Sequence, residues 1–297
     1  MSEALLILNG KKADRPEIRQ AVNTLRDDEH QLDVRVTWEA GDIHRYIDEA
    51  CRRNIERVVV GGGDGSVNEA ANSILTREGK VPALGIMPLG TANDFATSCR
   101  IPSDPLESLR LALTGESRSI DAIQANEQFF LNVASVGFGA AVTANTPVEL
   151  KNFLGGGAYT IAGLIQALDF EPYPSRVLTP DGEFSGPLLV GAVCNGRTAG
   201  GGQRLAPEAL LNDGLMDVLM INHFSAPDVP QVLQEWNNPG AEGKFIRRFK
   251  VPWLEGESDH KIPVNLDGEP YSANQIRFSV QASAIKVVLP PDCPCIQ

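Results

Sequence analysis

The chain has 297 residues, room for about two domains of ordinary size. Its 42% apolar and 22% charged residues lie near the average for soluble globular proteins, and Gly 28 with Pro 20 indicate many loops without the bias of a disordered chain. The formal charge of −12 argues against a general nucleic-acid binder, which needs a basic footprint, and against wholesale adsorption to an anionic membrane.

Strand and helix signals alternate over the first ~120 residues, the pattern of βαβ units around a mostly parallel sheet. Ala4–Leu8 is a short apolar run ending at Asn9-Gly10. Pro16 opens a helix on which Ile18, Val22 and Leu25 recur at helical spacing. Val34–Val36 reads as the next strand and ends at Thr37. Ile43, Ile47 and Ala50 mark a second helix, and Arg57–Val60 is a buried strand. The run Gly61-Gly62-Gly63-Asp64-Gly65-Ser66 follows at once, with a helix expected from near Val67. Ala83–Met87 is a fourth strand, and Pro88–Asp94 is the loop after it.

From about Phe129 the pattern turns mainly to β. Strands are expected at Phe129–Val136, Leu188–Cys194, Met216–Ile221, Ile262–Leu266, Gln275–Val280 and Ala284–Leu289, interrupted by a helix at Tyr159–Leu168. The expectation is an α/β domain over residues 1–125 and a β-sandwich over 126–297, abutting around a cleft.

The N-terminus has neither a basic leader region nor a cleavage site, and no apolar run approaches the ~18 residues a membrane span needs. With five cysteines (51, 99, 194, 293 and 295) at no zinc-knuckle or CxxC spacing, reduced thiols and cytoplasmic residence are expected. The Cys-Pro-Cys pair at 293–295 is too close in sequence to staple distant segments.

The two glycine loops carry the chemistry. Consecutive glycines between a strand and a helix let backbone N–H groups approach an anion, and the helix dipole favours it. A phosphate chain is the natural guest. The dinucleotide fingerprint fails because Ser66 stands where Gly or Ala is required, and no Gly-Lys pair is followed by the hydroxyl of a Walker loop. A purely structural turn would not need Asp64 among its glycines. In the second loop Gly90 allows close approach, Thr91 can bond a phosphate, and Asn93 and Asp94 can position hydrated Mg²⁺.

Gly-Gly-Asp-Gly-Ser-Val-Asn-Glu at 62–69, with Pro-Leu-Gly-Thr-Ala-Asn-Asp-Phe-Ala at 88–96, resembles the catalytic domain of diacylglycerol and sphingosine kinases. The whole chain is more similar still to the bacterial YegS-like lipid kinases. That likeness continues through Asn132–Gly139, Gly201–Ala209, Leu211–Asp217 and Leu266–Pro270. Ser66, where Thr is commoner, keeps the hydroxyl.

The resemblance implies a Rossmann-like open sheet of the NAD kinase/diacylglycerol kinase type, followed by a β-sandwich. It further implies transfer of the ATP γ-phosphate to a hydroxyl of a glycerol-containing lipid, such as phosphatidylglycerol or diacylglycerol, in the interdomain cleft. By resemblance ATP is held by Thr37, by Gly63, Asp64, Gly65, Ser66, Val67, Asn68 and Glu69, and by Thr91. Asp267-Gly268-Glu269 supplies the proton acceptor, placed on Glu269, with Asp267 as the alternative or a metal-side partner. Leu210, Asp213 and Leu215 match a structural cation site of two carbonyls and one carboxylate, suited to Mg²⁺ or Ca²⁺ and distinct from the Mg²⁺ of Mg·ATP.

Residues 244–253 interleave Lys244, Arg247, Arg248 and Lys250 with aromatics. Peripheral contact with anionic lipid is one reading, and a strand with a basic solvent face is the other. Two competing functions are a kinase of a soluble substrate such as NAD, whose Thr-Gly-Ser-Thr-Ala-Tyr-like loop is absent here, and a non-catalytic nucleotide- or lipid-binding regulator. Retention of Asp64, Asp94, Asp267 and Glu269 argues against a dead site.

Overall fold

The computed structural model describes residues 3–137, 140, 171–238 and 243–297. The Gly155–Gly157 stretch, the helix expected at Tyr159–Leu168, and Phe138 and Gly139 lie outside the described residues. The chain forms two compact units, the first made of Met1–Ala122, Leu211–Asp213 and Gln281–Gln297, the second of Ile123–Leu210 and Gly214–Val280.

The first unit is an open parallel sheet. It contains β1 (Ala4–Leu8), β2 (Leu32–Val36), β3 (Arg57–Gly62) and β4 (Ala83–Pro88), in the order β2–β1–β3–β4. All five β1 residues and five of the six β3 residues are buried, which is why these strands read as unbroken runs rather than alternating ones. Residues 4, 6 and 8 of β1 join Val59 and Met87 in a core with Ile18, Ala21, Val22 and Leu25 of α1 (Pro16–Asp27). Leu109, Ala112 and Leu113 of α5 (Pro105–Thr114) complete that layer. Between them in sequence lie α2 (Asp42–Arg52), α3 (Asp64–Leu75) and the short α4 (Asp94–Ser98). The Asp104 carboxylate caps α5, accepting from the backbone N–H groups of Leu106 and Glu107 at 3.0 Å each, ahead of Pro105 at the first helical position.

The glycine run is not one loop. Gly61 and Gly62 finish β3, Gly63 is the extended N-cap residue, and α3 begins at Asp64, three residues before the expected Val67. Asp64, Gly65 and Ser66 therefore form the first helical turn, whose N–H groups have no partner within the helix.

The second unit is an antiparallel sandwich-like β-structure. It follows on β5 (Ser117–Ala125), whose last residues pair with β6 (Gln128–Phe130). After β7 (Val133–Gly137) come β8 (Tyr173–Thr179), β9 (Gly182–Cys194), the two-residue strands β10 (Thr198–Ala199) and β11 (Gln203–Arg204), and β12 (Met216–Asn222). The helix α6 (Val229–Asn237) precedes β13 (Ile246–Val251), β14 (Trp253–Leu266) and β15 (Glu269–Val288). Two long strands bridge the layers. The first half of β9 pairs with β8 and its second half with β7 and β12, while β14 pairs with β8 near Gly256 and with β7 near Asn265. One apolar core runs from Ile123 and Phe130 through Val193 and Met216 to Leu266 and Phe278. A second gathers Leu189, Leu219, Phe224, Val232 of α6 and Phe245.

Other sequence expectations change as well: the strand expected at Phe129–Val136 is divided between β6 and β7. Gln275–Val280 and Ala284–Leu289 are parts of the single strand β15. The expected division at 125/126 also gives the tail to the second domain, whereas Gln281–Gln297 and Leu211–Asp213 belong to the first unit. The cause is strand pairing. Val287 lies parallel to Leu84 of β4, and Leu211 donates its N–H to the Cys295 carbonyl at 2.8 Å.

Candidate active site

In the order β2–β1–β3–β4 the chain turns one way out of β1 and the other way into β3. Open α/β sheets bind ligands at such a switch point, beyond the carboxyl ends of the strands. The residues that follow those ends converge here. Asn9 follows β1, Thr37 follows β2, and Ser66 lies just past β3. The Thr37 hydroxyl accepts the Gly10 N–H at 3.1 Å, and the Asn9 amide nitrogen reaches the Ser66 hydroxyl at 3.5 Å. Asn9, Lys11, Thr37, Trp38, Ser66 and Glu69 all line one pocket of ≈ 510 Å³. Gly10 is required by close approach, because a Cβ there would stand 2.1 Å from the Thr37 carbonyl oxygen.

The two glycine loops touch. A Cβ on Gly90 would lie 2.5 Å from the Gly63 Cα and 2.7 Å from the Asn93 Oδ1. Pairing of β3 with β4, Gly62 opposite Pro88, delivers the loops side by side, and the Leu89 N–H donates to the Gly62 carbonyl at 2.8 Å. Asn93 holds the second loop closed. Its side chain accepts from the Gly90 N–H at 2.9 Å and donates to the Gly90 carbonyl at 3.0 Å. The Asp64 carboxylate accepts the Phe95 N–H at 3.3 Å, tying the start of α3 to the first turn of α4. Gly90→Ala is therefore expected to lower stability by about 1–3 kcal/mol, read by denaturant unfolding. An unchanged midpoint would mean that the loops part without cost.

Of the residues expected to hold ATP, Thr37, Ser66 and Glu69 share the pocket, and Gly63 meets the loop that carries the exposed Thr91. Asp64 and Gly65 lie in the first turn of α3. Val67 and Asn68 are buried, at 5% exposure each, so their side chains serve the packing of α3. The Asn68 side chain accepts from the Asn72 amide at 2.8 Å.

Three further pocket residues were not singled out from the sequence: Asn9, Lys11 and Trp38. Trp38 is 92% exposed, an unusual placement for an indole. Its backbone is fixed, for the Asp42 carboxylate accepts the N–H groups of Trp38 at 2.6 Å and Glu39 at 3.1 Å. Those two donors hold the Asp42 carboxyl below the usual carboxylate range. A large apolar residue after a strand-end Thr was the available signal.

In the second unit Asp267 and Gly268 form the two-residue turn between β14 and β15, with Leu266 paired to Glu269. Both turn residues have positive φ, 49° and 102°, the requirement of the tight hairpin that Asp-Gly favours. The Asn265 side chain accepts the Gly268 N–H at 2.8 Å. The Asp267 carboxylate faces the segment before β7. It accepts the N–H groups of Leu131 at 2.8 Å, Asn132 at 3.1 Å and Val133 at 2.8 Å. Both its oxygens are engaged in this way, whereas Glu269, paired with Leu266 at the start of β15, is exposed.

Leu210 and Leu215 belong to the second unit and Asp213 to the first. The basic stretch contains the strand β13, with Lys244 just before it, and its charges are partnered within the protein. Lys250 meets Asp217 at 3.2 Å, and Arg247 stacks on Phe184. Arg248 donates to the Glu235 and Trp236 carbonyls at the end of α6, where burial pushes its guanidinium down.

An open α/β sheet with paired glycine loops at its switch point, followed by a sandwich that presents a carboxylate on a tight hairpin, defines a class of phosphotransferase. The diacylglycerol kinase catalytic domain family matches residues 3–125, and the YegS C-terminal NAD kinase beta sandwich-like domain matches residues 132–289. A protein of Shewanella frigidimarina named "Probable lipid kinase YegS-like" is 52% identical, covering 98% of this chain and 95% of the relative. One of the same name in Chromohalobacter salexigens is 45% identical over 96% and 92%. A crystal structure of a Bacillus anthracis protein assigned as a diacylglycerol kinase shares the fold, with TM-score 0.83 at 23% identity over 98% and 96% of the two chains. The chain belongs to the YegS-like lipid kinases of the diacylglycerol kinase catalytic-domain family, and it is a kinase. Among the described residues no helix is long and apolar enough to cross a membrane.

Proposed function

We propose that this enzyme transfers the γ-phosphate of ATP to a hydroxyl of a glycerol-containing lipid, phosphatidylglycerol or a diacylglycerol-like acceptor. The observation that carries the ATP half is the meeting of Gly63 and Gly90 beside a pocket lined by Thr37, Ser66 and Glu69. Backbone N–H groups of the first turn of α3 bind phosphate oxygens there, together with the hydroxyls of Ser66 and Thr91. Lys11 is the cationic side chain lining that pocket, and Mg²⁺ arriving with the nucleotide would neutralise the remaining phosphate charge. Asp64 and Asp94 are the carboxylates nearest in sequence to those loops.

Glu269 takes the proton of the attacking alcohol. The lipid oxygen gains the phosphoryl group, the β–γ bridging bond breaks, and ADP leaves. Asp267 has both oxygens committed to backbone donors, so it acts as the anchor that positions Glu269 rather than as the base. The carbonyls of Leu210 and Leu215 with the Asp213 carboxylate are all hard oxygen donors, the chemistry of a Mg²⁺ or Ca²⁺ site.

Turnover with ATP and Mg²⁺ on phosphatidylglycerol, diacylglycerol, sphingosine and NAD in parallel tests this reading. Product on a glycerolipid is expected, and activity on NAD alone would overturn it. Within the pocket, the exposed Trp38 indole offers a flat face to the purine. Base stacking on an aromatic is worth about 1–3 kcal/mol, so Trp38→Ala should raise the KM for ATP by roughly tenfold while kcat holds. An unchanged KM would place the base elsewhere.

A further inference from the structure

Three cysteines stand outside everything the phosphotransfer chemistry uses. Cys99 caps the C-terminal end of α4, the helix that follows the second glycine loop. Cys293 and Cys295 flank Pro294 in the last five residues. The fold brings these segments together although 194 positions separate Cys99 from Cys293, and the three sulfurs lie within 4.8 Å of one another. Cys99 is 1% exposed and Cys295 is fully buried, while Cys293 is half-buried and opens the trio to solvent.

The cluster is held from several sides. The Cys295 thiol donates to the Ser98 carbonyl at 3.2 Å, and the Cys295 carbonyl accepts the Leu211 N–H at 2.8 Å. The Cys293 N–H donates to the Pro290 carbonyl at 3.1 Å. Arg100, next to Cys99, reaches the Asp292 carboxylate at 3.2 Å, and the Gln297 N–H donates to the Asn212 side chain at 3.1 Å. A tail pinned by this many bonds fixes where its thiols point.

The geometry points to a binding site for one thiophilic d¹⁰ cation, Zn²⁺ or Cu⁺, coordinated by Cys99, Cys293 and Cys295. Metal–sulfur bonds of about 2.3 Å require sulfurs about 4 Å apart, so small side-chain rotations close the observed trio around an ion. Thiolates are soft ligands, which excludes Mg²⁺ and Ca²⁺ from this position. Three sulfurs satisfy Cu⁺ directly. For Zn²⁺ a water on the open Cys293 side supplies the fourth ligand. Binding converts three thiols to thiolates and releases their protons to solvent.

A redox pair is the competing use of such a cluster. Thiol–disulfide exchange needs access to the sulfurs, and here Cys99 is 1% exposed and Cys295 fully buried, which leaves Cys293 alone within reach of a redox partner. The ion would fasten the C-terminal tail to the end of α4, at the base of the second glycine loop.

The test uses the full chain, reduced and stripped with a chelator, titrated with Zn²⁺ against a chromophoric competitor and, without air, with Cu⁺. One equivalent of one of these ions should bind, with affinity lowered at least ~100-fold in Cys293→Ser and unchanged in Cys51→Ser. Because loss of a buried cysteine can unfold the tail, alkylation of the unmutated protein provides a second readout. Metal should protect Cys293, the one of the three open to solvent, and leave Cys51 labelled. Absence of stoichiometric binding overturns the proposal. So does equal affinity in Cys293→Ser, labelling of Cys293 undiminished by metal, or conversion of the trio to a disulfide in place of metal uptake.

Discussion

Glu269→Gln is expected to lower kcat by at least ~10²-fold, the scale for losing general-base help, while the KM for ATP and the melting temperature stay where they are. The amide has nearly the same shape as the carboxylate but cannot take the proton of the acceptor alcohol. The side chain is exposed on a tight hairpin, so no packing is lost with the charge. Steady-state kinetics on a glycerolipid with saturating ATP measures the effect. A kcat near that of the unmutated enzyme would move the base to another residue.

Removing the anchor should act differently. Asp267→Ala strips the carboxylate from the N–H groups of Leu131, Asn132 and Val133, whose residues are at most 5% exposed. Hydrogen bonds to a charged acceptor are worth about 1.5–3 kcal/mol, so this variant should lose about 3 kcal/mol of stability. Its kcat should fall too, since the turn that presents Glu269 loses its tie to the segment before β7. Urea unfolding together with kcat distinguishes the two carboxylates: Asp267→Ala shifts both readouts, whereas Glu269→Gln shifts only the second. Full stability in Asp267→Ala would show that Asn265 and the chain reversal suffice to hold the hairpin.

Periodicity was a reliable guide wherever a strand or helix is decided by burial of its own residues. Ala4–Leu8 and the Pro16 helix start appear where the apolar spacing put them, because their burial pattern is written directly in the chain. It was a poor guide where partners decide. Ala284–Leu289 looked like one more sandwich strand, yet Val287 pairs with Leu84 of the parallel sheet, an outcome that local alternation cannot encode. The basic run at 244–253 had two readings because charge alone does not reveal a partner. Asp217, Phe184 and the carbonyls ending α6 supply those partners from elsewhere in the sequence.

Periodicity by itself determined the alternation of strands and helices in the first half and the mainly β second half, and the motifs spread from Gly62 to Pro270 carried the family resemblance, since each depends on residues close together in the chain. Only the tertiary structure decided which residues stand beside those turns. Trp38 and Asn9 enter the pocket because β1, β2 and β3 end at one edge, Asp267 becomes an anchor because Leu131–Val133 lie against it, and Cys99 joins the tail cysteines across most of the chain. Such meetings arise from strand order and long-range packing, which no window of neighbouring residues contains.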